Sequence, residues 1–307
     1  MMLPERVKIV EVGPRDGLQN EPVRLSPSDR AHLIELLVDA GLRHIEAGSF
    51  VSEVAVPQMA GTARTLELVR PSIARLSVLA PNSKGFEHAR EAGVDEVAVL
   101  VAASESFCLR NLKCGIPEAM ERARTVALSA RQQNISVRGY ISCVLGCPYE
   151  ERVELALVAE LAKALIELGC CEISLGDTIG VGTPMQARRL VERVATDVPL
   201  SRLAGHFHDT YGQALANIFA CLEVGLSVFD SSVGGLGGCP FAPGAAGNVA
   251  TEDLVYMLQG CEVETGVDLE RLCKASAFVC AKLGRPPAGR VAAARLAAGK
   301  GHEKRGR

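Results

Sequence analysis

The sequence predicts an α/β protein in which eight strand–helix units close into a (β/α)8 TIM barrel, with one additional helical segment at the C-terminal end. Three observations carry this expectation. Short apolar runs rich in β-branched residues alternate with helical-period segments along the chain. The strands read as nearly continuous apolar runs, as in a parallel sheet covered on both faces. A faint repeat also recurs at Ala40-Gly41, Ala92-Gly93, Leu168-Gly169 and Val224-Gly225, where a helix closes on a glycine and a strand follows within four residues.

Taken in order, the strands are expected at 7–13, 44–49, 75–80, 96–102, 136–143, 172–177, 203–208 and 228–233. Helices are expected at 26–40, 57–70, 83–92, 117–133, 150–168, 184–196, 211–224 and 250–259. A ninth helix over 268–283 lies outside the eightfold count and completes a single catalytic domain, 1–283. From Gly284 the chain is basic and Ala/Gly-rich with no apolar stripe, so 284–307 reads as a mobile tail. A doubly wound open sheet is the competing architecture, but no Gly-x-Gly-x-x-Gly opens the first helix.

Composition narrows the functional classes. A net charge of −3, no Trp and four Tyr give no electrostatic or stacking case for a nucleic acid partner. The longest uncharged run, 231–251, is rich in Gly, Pro and Ala, which reads as a loop, and no membrane partner is expected. Charged residues interrupt the N-terminal stretch, and eleven irregularly spaced Cys suggest reduced thiols in a cytoplasmic setting. Cys143 and Cys147 lack a second pair to complete a zinc site, and Cys170 and Cys171 read as packing residues.

In a barrel, functional groups gather at the C-terminal ends of the strands. Strand one ends in Glu11-Val-Gly-Pro-Arg15-Asp16-Gly17, strand two carries Glu46, and strand six ends in Gly176-Asp177-Thr178. Strand seven ends in His206-Phe207-His208-Asp209. Residues i and i+2 of a strand share a face, so the two imidazoles project together. By themselves they are either two satisfied histidines or half a metal site. Asp16 reads alone as a turn carboxylate and Asn248 as a helix N-cap, but both become ligands if the barrel brings strands one, seven and eight together. Two imidazoles, a carboxylate and an amide oxygen suit Mg²⁺ or Mn²⁺. Arg15 reads as an ion-pair partner of Asp16 or as a cation for a developing enolate. Glu46 is a candidate substrate contact or, with Glu11, a support that orients the ligands or Arg15; Asp177 is a further candidate support, and Asp209 reads as a helix cap or a supporting carboxylate. The glycine-rich run 234–247 reads as a lid in which the Cys239 thiol is open to proton transfer or to redox sensitivity.

Several motifs together resemble the 3-hydroxy-3-methylglutaryl-CoA lyase family across 7–283. They are Val10-Glu-Val-Gly-Pro-Arg-Asp-Gly-Leu-Gln-Asn-Glu21, Ser136-Val-Arg-Gly-Tyr140, Gly146-Cys-Pro-Tyr149, 172–184, His206-x-His-Asp, Gly235-Leu-Gly-Gly-Cys-Pro240 and Gly247-Asn248. The resemblance implies a dimeric TIM barrel that takes an acyl-CoA thioester. It implies Mg²⁺ or Mn²⁺ on Asp16, His206, His208 and Asn248, Arg15 at the substrate and its enolate, and Cys239 in a catalytic lid; Asp16 or His206 is the candidate base for the reaction. The implied reaction is retro-Claisen cleavage to acetyl-CoA and acetoacetate, the chemistry of leucine breakdown and ketone-body formation. A condensing acyltransferase of the isopropylmalate or homocitrate synthase type and a non-catalytic metal-binding barrel are the rivals. The sequence departs from the family at Pro22, where a lysine is common, and at Glu53-Val54-Ala55, where Pro-Lys-Trp is usual. Both departures bear on which acyl-CoA is accepted.

Overall fold

A computed structural model describes residues 3–70, 72–150, 152–238 and 247–305, with side chains up to 298. Eight parallel strands follow one another in a closed barrel. They are β1 (Lys8–Glu11), β2 (His44–Ser49), β3 (Arg75–Leu79), β4 (Glu96–Ala102), β5 (Ser136–Ser142), β6 (Glu172–Asp177), β7 (Leu203–Phe207) and β8 (Val228–Ser231). Closure pairs β1 with β8, from Lys8 opposite Val228 to Glu11 opposite Ser231. Every expected strand is present, because runs buried on both faces stand out as apolar against the helices between them.

The helices are α1 (Pro27–Asp39), α2 (Thr62–Leu68), α3 (Ser83–Glu91), α4 (Glu105–Phe107), α5 (Ile116–Gln132), α6 (Leu155–Glu167), α7 (Pro184–Val194), α8 (Ala214–Glu223), α9 (Thr251–Gly260), α10 (Leu269–Leu283) and α11 (Arg290–Arg305). Local chemistry sets many boundaries. Ser26 accepts the Asp29 N–H at the start of α1, and Asn82 accepts that of Gly85 at the start of α3. Gly41, Gly93, Gly169 and Gly225 all have positive φ, as the repeat of helix-closing glycines requires. Thr62 starts α2 later than expected, since 57–59 form a separate 3-10 turn and Gly61 takes a left-handed conformation.

Two helices escaped the sequence reading. The three-residue α4 has too few positions to show a period. At the other end, α11 occupies a segment expected to be a mobile tail. Its first turn is held by Asp253, which accepts the N–H groups of Arg290 and Val291 at 2.9 and 2.7 Å. Ala292 is buried, and Arg285 pairs with Glu21 near the barrel mouth. Capping from another helix, rather than an apolar stripe, orders this segment.

The main apolar layer lies between strands and helices. Inside the barrel the apolar clusters are small. Val10, Val12, Ala204 and Val228 form one, and Leu79, Ala98 and Tyr140 form the other. The remaining interior is polar, with Arg138, Glu172, Ser174 and Asp230 buried there.

Candidate active site

After β1 the chain winds through one wide turn, Gly13–Gly17, in which the Gly17 N–H reaches the Val12 carbonyl. Such π-type turns re-aim side chains at strand ends. This one delivers Arg15 and Asp16 to the barrel mouth. It packs tightly on the exit of β8, since a Cβ at Gly17 would lie 2.7 Å from both Leu236 and Ser232. His206 is on β7 and His208 just beyond it. An isolated bridge pairs His208 with Asn248, which brings Asn248 beside the imidazoles.

Asp16, His206 and His208 converge, each offering a ligand atom within 4.8 Å of the others. The Asp16 Oδ2 lies 3.8 Å from Nε2 of each histidine, beyond hydrogen-bond distance. That spacing leaves room for a cation with bonds of about 2.1 Å to each donor. Asn248 Nδ2 donates to the same Asp16 oxygen at 2.9 Å. Half a turn of the amide would put its Oδ1 in that place, so Asn248 fits as the fourth donor. One carboxylate, two imidazoles and an amide oxygen form a set suited to a hard or borderline divalent ion.

Arg15 is buried with its Nε 2.6 Å from Glu46 and its Nη1 2.6 Å from Asp16. Burial works against its charge, but the two carboxylates outweigh it and raise its pKa above the ordinary value. Burial likewise opposes ionisation of Asp16, yet Arg15 and then the histidines hold its carboxyl well below the usual range. Tyr140 stacks between two guanidinium groups, with Arg15 at 5.3 Å and Arg138 at 5.0 Å from its ring centroid.

A cavity of about 140 Å³ opens over these groups. Arg15, Asp16, Gln19, Asn20, His206 and His208 form its polar wall, and Leu79, Leu100, Phe107 and Ile141 contribute an apolar one. Gly238 also lines it. The base of the glycine-rich loop is narrow, since a Cβ at Gly247 would lie 2.5 Å from the Gly237 carbonyl oxygen. Cys239 lies outside the described residues.

Four of the candidate supporting residues have defined partners. Glu46 is fully buried and its Oε2 accepts from Arg15 and Tyr140, so it orients Arg15, one of the two roles expected of it. Glu11 points out of the barrel, touching neither ligands nor Arg15. It accepts the N–H groups of Gly13 and Val233 and the Thr251 hydroxyl, tying the exits of β1 and β8 together. Asp177 accepts the N–H groups of Val181 and Gly182, shaping the loop after β6. Asp209 accepts from Ala214 and fixes the start of α8.

Asp230, Arg138 and Tyr140 had gone unassigned. His206 Nδ1 lies 3.1 Å from Asp230 Oδ2, and Arg138 grips Asp230 with two nitrogens at 3.1 and 2.7 Å. The available signal was a single carboxylate in the apolar strand Val228–Ser231, two positions from Val228 and so on the same face.

Fold and site together define the class, a (β/α)8-barrel enzyme with a candidate divalent-metal centre at its C-terminal mouth. The HMGL-like family model matches residues 6–279. The chain belongs to that family and is a lyase. It is 56% identical over 299 residues to the 3-hydroxy-3-isohexenylglutaryl-CoA/hydroxymethylglutaryl-CoA lyase of Pseudomonas aeruginosa, covering 97% of this chain and 99% of the relative. It is 53% identical over 294 residues to the human mitochondrial hydroxymethylglutaryl-CoA lyase, covering 95% and 90%. The crystal structure of the Pseudomonas aeruginosa hydroxymethylglutaryl-CoA lyase superimposes with a TM-score of 0.95, over 97% of this chain and 100% of that one. An Acinetobacter baumannii HMG-CoA lyase in complex with coenzyme A and 3-methylmalate gives 0.90 at 34% identity, over 95% and 96%.

Proposed function

We propose that this lyase cleaves 3-hydroxy-3-methylglutaryl-CoA, or a close 3-hydroxyglutaryl-CoA analogue, to acetyl-CoA and a 3-keto acid, acetoacetate for the methyl substrate. The observation that carries this reading is the convergence of Asp16, His206 and His208 beside buried Arg15 on one cavity wall. The names of the close relatives support the substrate class. Asp16, His206, His208 and Asn248 would hold Mg²⁺ or Mn²⁺, which when bound would polarise substrate oxygens and make the tertiary hydroxyl more acidic.

The residues of the chain account for the remaining steps. The hydroxyl proton passes to Asp16, which borders the cavity. As the C2–C3 bond breaks, its electron pair moves to C2 and onto the thioester oxygen, leaving a ketone at C3. Arg15, fixed by Glu46 and Asp16, presents its positive charge to that oxygen. Cys239, directly or through water, returns a proton to C2. The role of Cys239 rests on its place in the glycine-rich loop, whose residue Gly238 lines the cavity.

We further assign the protein to the cytoplasm as a homodimer acting in leucine breakdown and ketone-body chemistry, which sedimentation and localisation measurements can test. Among the described residues no helix is long and apolar enough to cross a membrane. The deciding assay incubates purified protein and Mg²⁺ with 3-hydroxy-3-methylglutaryl-CoA and measures acetoacetate. Product formation that stops with a chelator supports the reading. Activity only on acetyl-CoA with a 2-keto acid would replace it with a condensing enzyme, and silence on both with a non-catalytic barrel.

A further inference from the structure

We propose that Asp230, clamped by Arg138, is a positioning residue that fixes the tautomer and orientation of His206 toward the cation. The inference rests on the metal-site reading above and extends it to residues deep inside the barrel.

The geometry around Asp230 is saturated. Its Oδ2 receives the Ser174 hydroxyl at 2.7 Å, Arg138 Nη1 at 3.1 Å and His206 Nδ1 at 3.1 Å. Its Oδ1 receives Arg138 Nη2 at 2.7 Å. A carboxylate offers about four acceptor sites, so this one has no freedom to swing. Arg138 is fixed in turn, with its Nε 2.8 Å from Glu172 Oε1, and the other Glu172 oxygen is 2.5 Å from Lys8 Nζ. A carboxylate held this way requires His206 to carry its proton on Nδ1. The lone pair is then on Nε2, the nitrogen that faces Asp16.

A stability role alone does not explain the arrangement. Barrel interiors are commonly filled by layers of branched apolar side chains. A buried ion pair is often no more stable than such residues would be. Here Asp230 pairs across the strands with Val10 of the apolar Val10–Val228 cluster, and the network it shares with Arg138 ends on the imidazole. The other histidine supplies an internal contrast. His208 Nδ1 is buried without a hydrogen-bond partner, so nothing equivalent sets its ring. His206 is therefore the preorganised ligand, and His208 the one the cation itself must orient.

The test is a Mn²⁺ titration of the full-length protein, with free ion read by EPR and folding checked by thermal unfolding. Asp230→Asn is expected to weaken Mn²⁺ binding by about 10–100-fold. In a His206→Ala background the same change should add nothing further, because the ring it positions is gone. Asp230→Asn at parental affinity would overturn the proposal. An undiminished loss in the His206→Ala background would do the same by showing a general structural effect. If Asp230→Asn does not fold, Ser174→Ala removes one of the four contacts and should weaken Mn²⁺ about 3–10-fold, a fraction of the full positioning effect. Parental affinity there is again contrary. If the parent itself binds no Mn²⁺, the metal-site reading and this inference fall together. If the parent binds and only the Asp230 effect is missing, this inference alone falls.

Discussion

Two buried charged clusters lie a few residues apart in this barrel, and they are built in opposite ways. In the inner one, Lys8, Glu172, Arg138, Ser174 and Asp230 touch at 2.5–3.1 Å. In the outer one, Asp16 stands 3.8 Å from each imidazole. In the inner cluster each side chain meets a partner at hydrogen-bond distance, whereas in the outer one the carboxylate and the two imidazoles face one another without bonding. Damage to the two clusters should therefore differ in kind.

The largest effect should come from breaking the inner cluster. Arg138→Met leaves Asp230 buried without its guanidinium and Glu172 with Lys8 alone, and we expect a loss of about 3–5 kcal/mol in unfolding free energy, measured by denaturant titration. A stability near that of the parent would mean that water enters the barrel and that the cluster is not the closed network described. Arg15→Gln acts on the outer cluster and should spare Mn²⁺ affinity while lowering turnover by about 10²–10³-fold, the usual cost of one donor to a developing oxyanion. Near-normal turnover would remove Arg15 from the enolate step. His208→Ala should cost about 10²-fold or more in Mn²⁺ affinity while leaving the thermal midpoint within a few degrees of the parent. A large drop in midpoint would place His208 among the structural residues and blur the contrast.

The outer cluster was legible in the sequence and the inner one was not, for a physical reason. Asp16, His206, His208 and Asn248 are polar residues at the ends of apolar runs, where the barrel rule says function gathers. The barrel itself could be read because strands buried on both faces are apolar throughout and because Gly41, Gly93, Gly169 and Gly225 mark where helices stop. That same double burial erases the alternation that tells inward from outward. Glu11 and Glu46 therefore looked alike, though one braces two strand exits in the outer layer and the other holds Arg15 within. Arg138 and Asp230 face each other across 92 residues of sequence, a pairing only the closed barrel shows. The α11 helix escaped because its anchor is the Asp253 carboxylate of another helix.

Buried acids differ in what completes them. Asp230 has a guanidinium, and although burial pushes its pKa up, Arg138 and His206 hold it below the usual carboxylate range. Glu252 is buried as completely but meets neutral donors, the Gly234 N–H at 3.0 Å among them, and burial raises its pKa from 4.5 to about 7. Between pH 4.5 and about 7 the folded protein therefore holds a proton at Glu252 that the unfolded chain has released. This group thus makes stability fall as pH rises through that window and adds no further slope above it. Glu252→Gln removes the titration. The variant's thermal midpoint minus the parent's should climb by a few degrees, roughly 2–4 °C per kcal/mol, from pH 4.5 to 7 and then level off. A difference that stays flat across the window would show that hydrogen bonds from neutral donors suffice to keep a buried carboxylate ionised, and that the cation beside Asp230 is there for His206 alone.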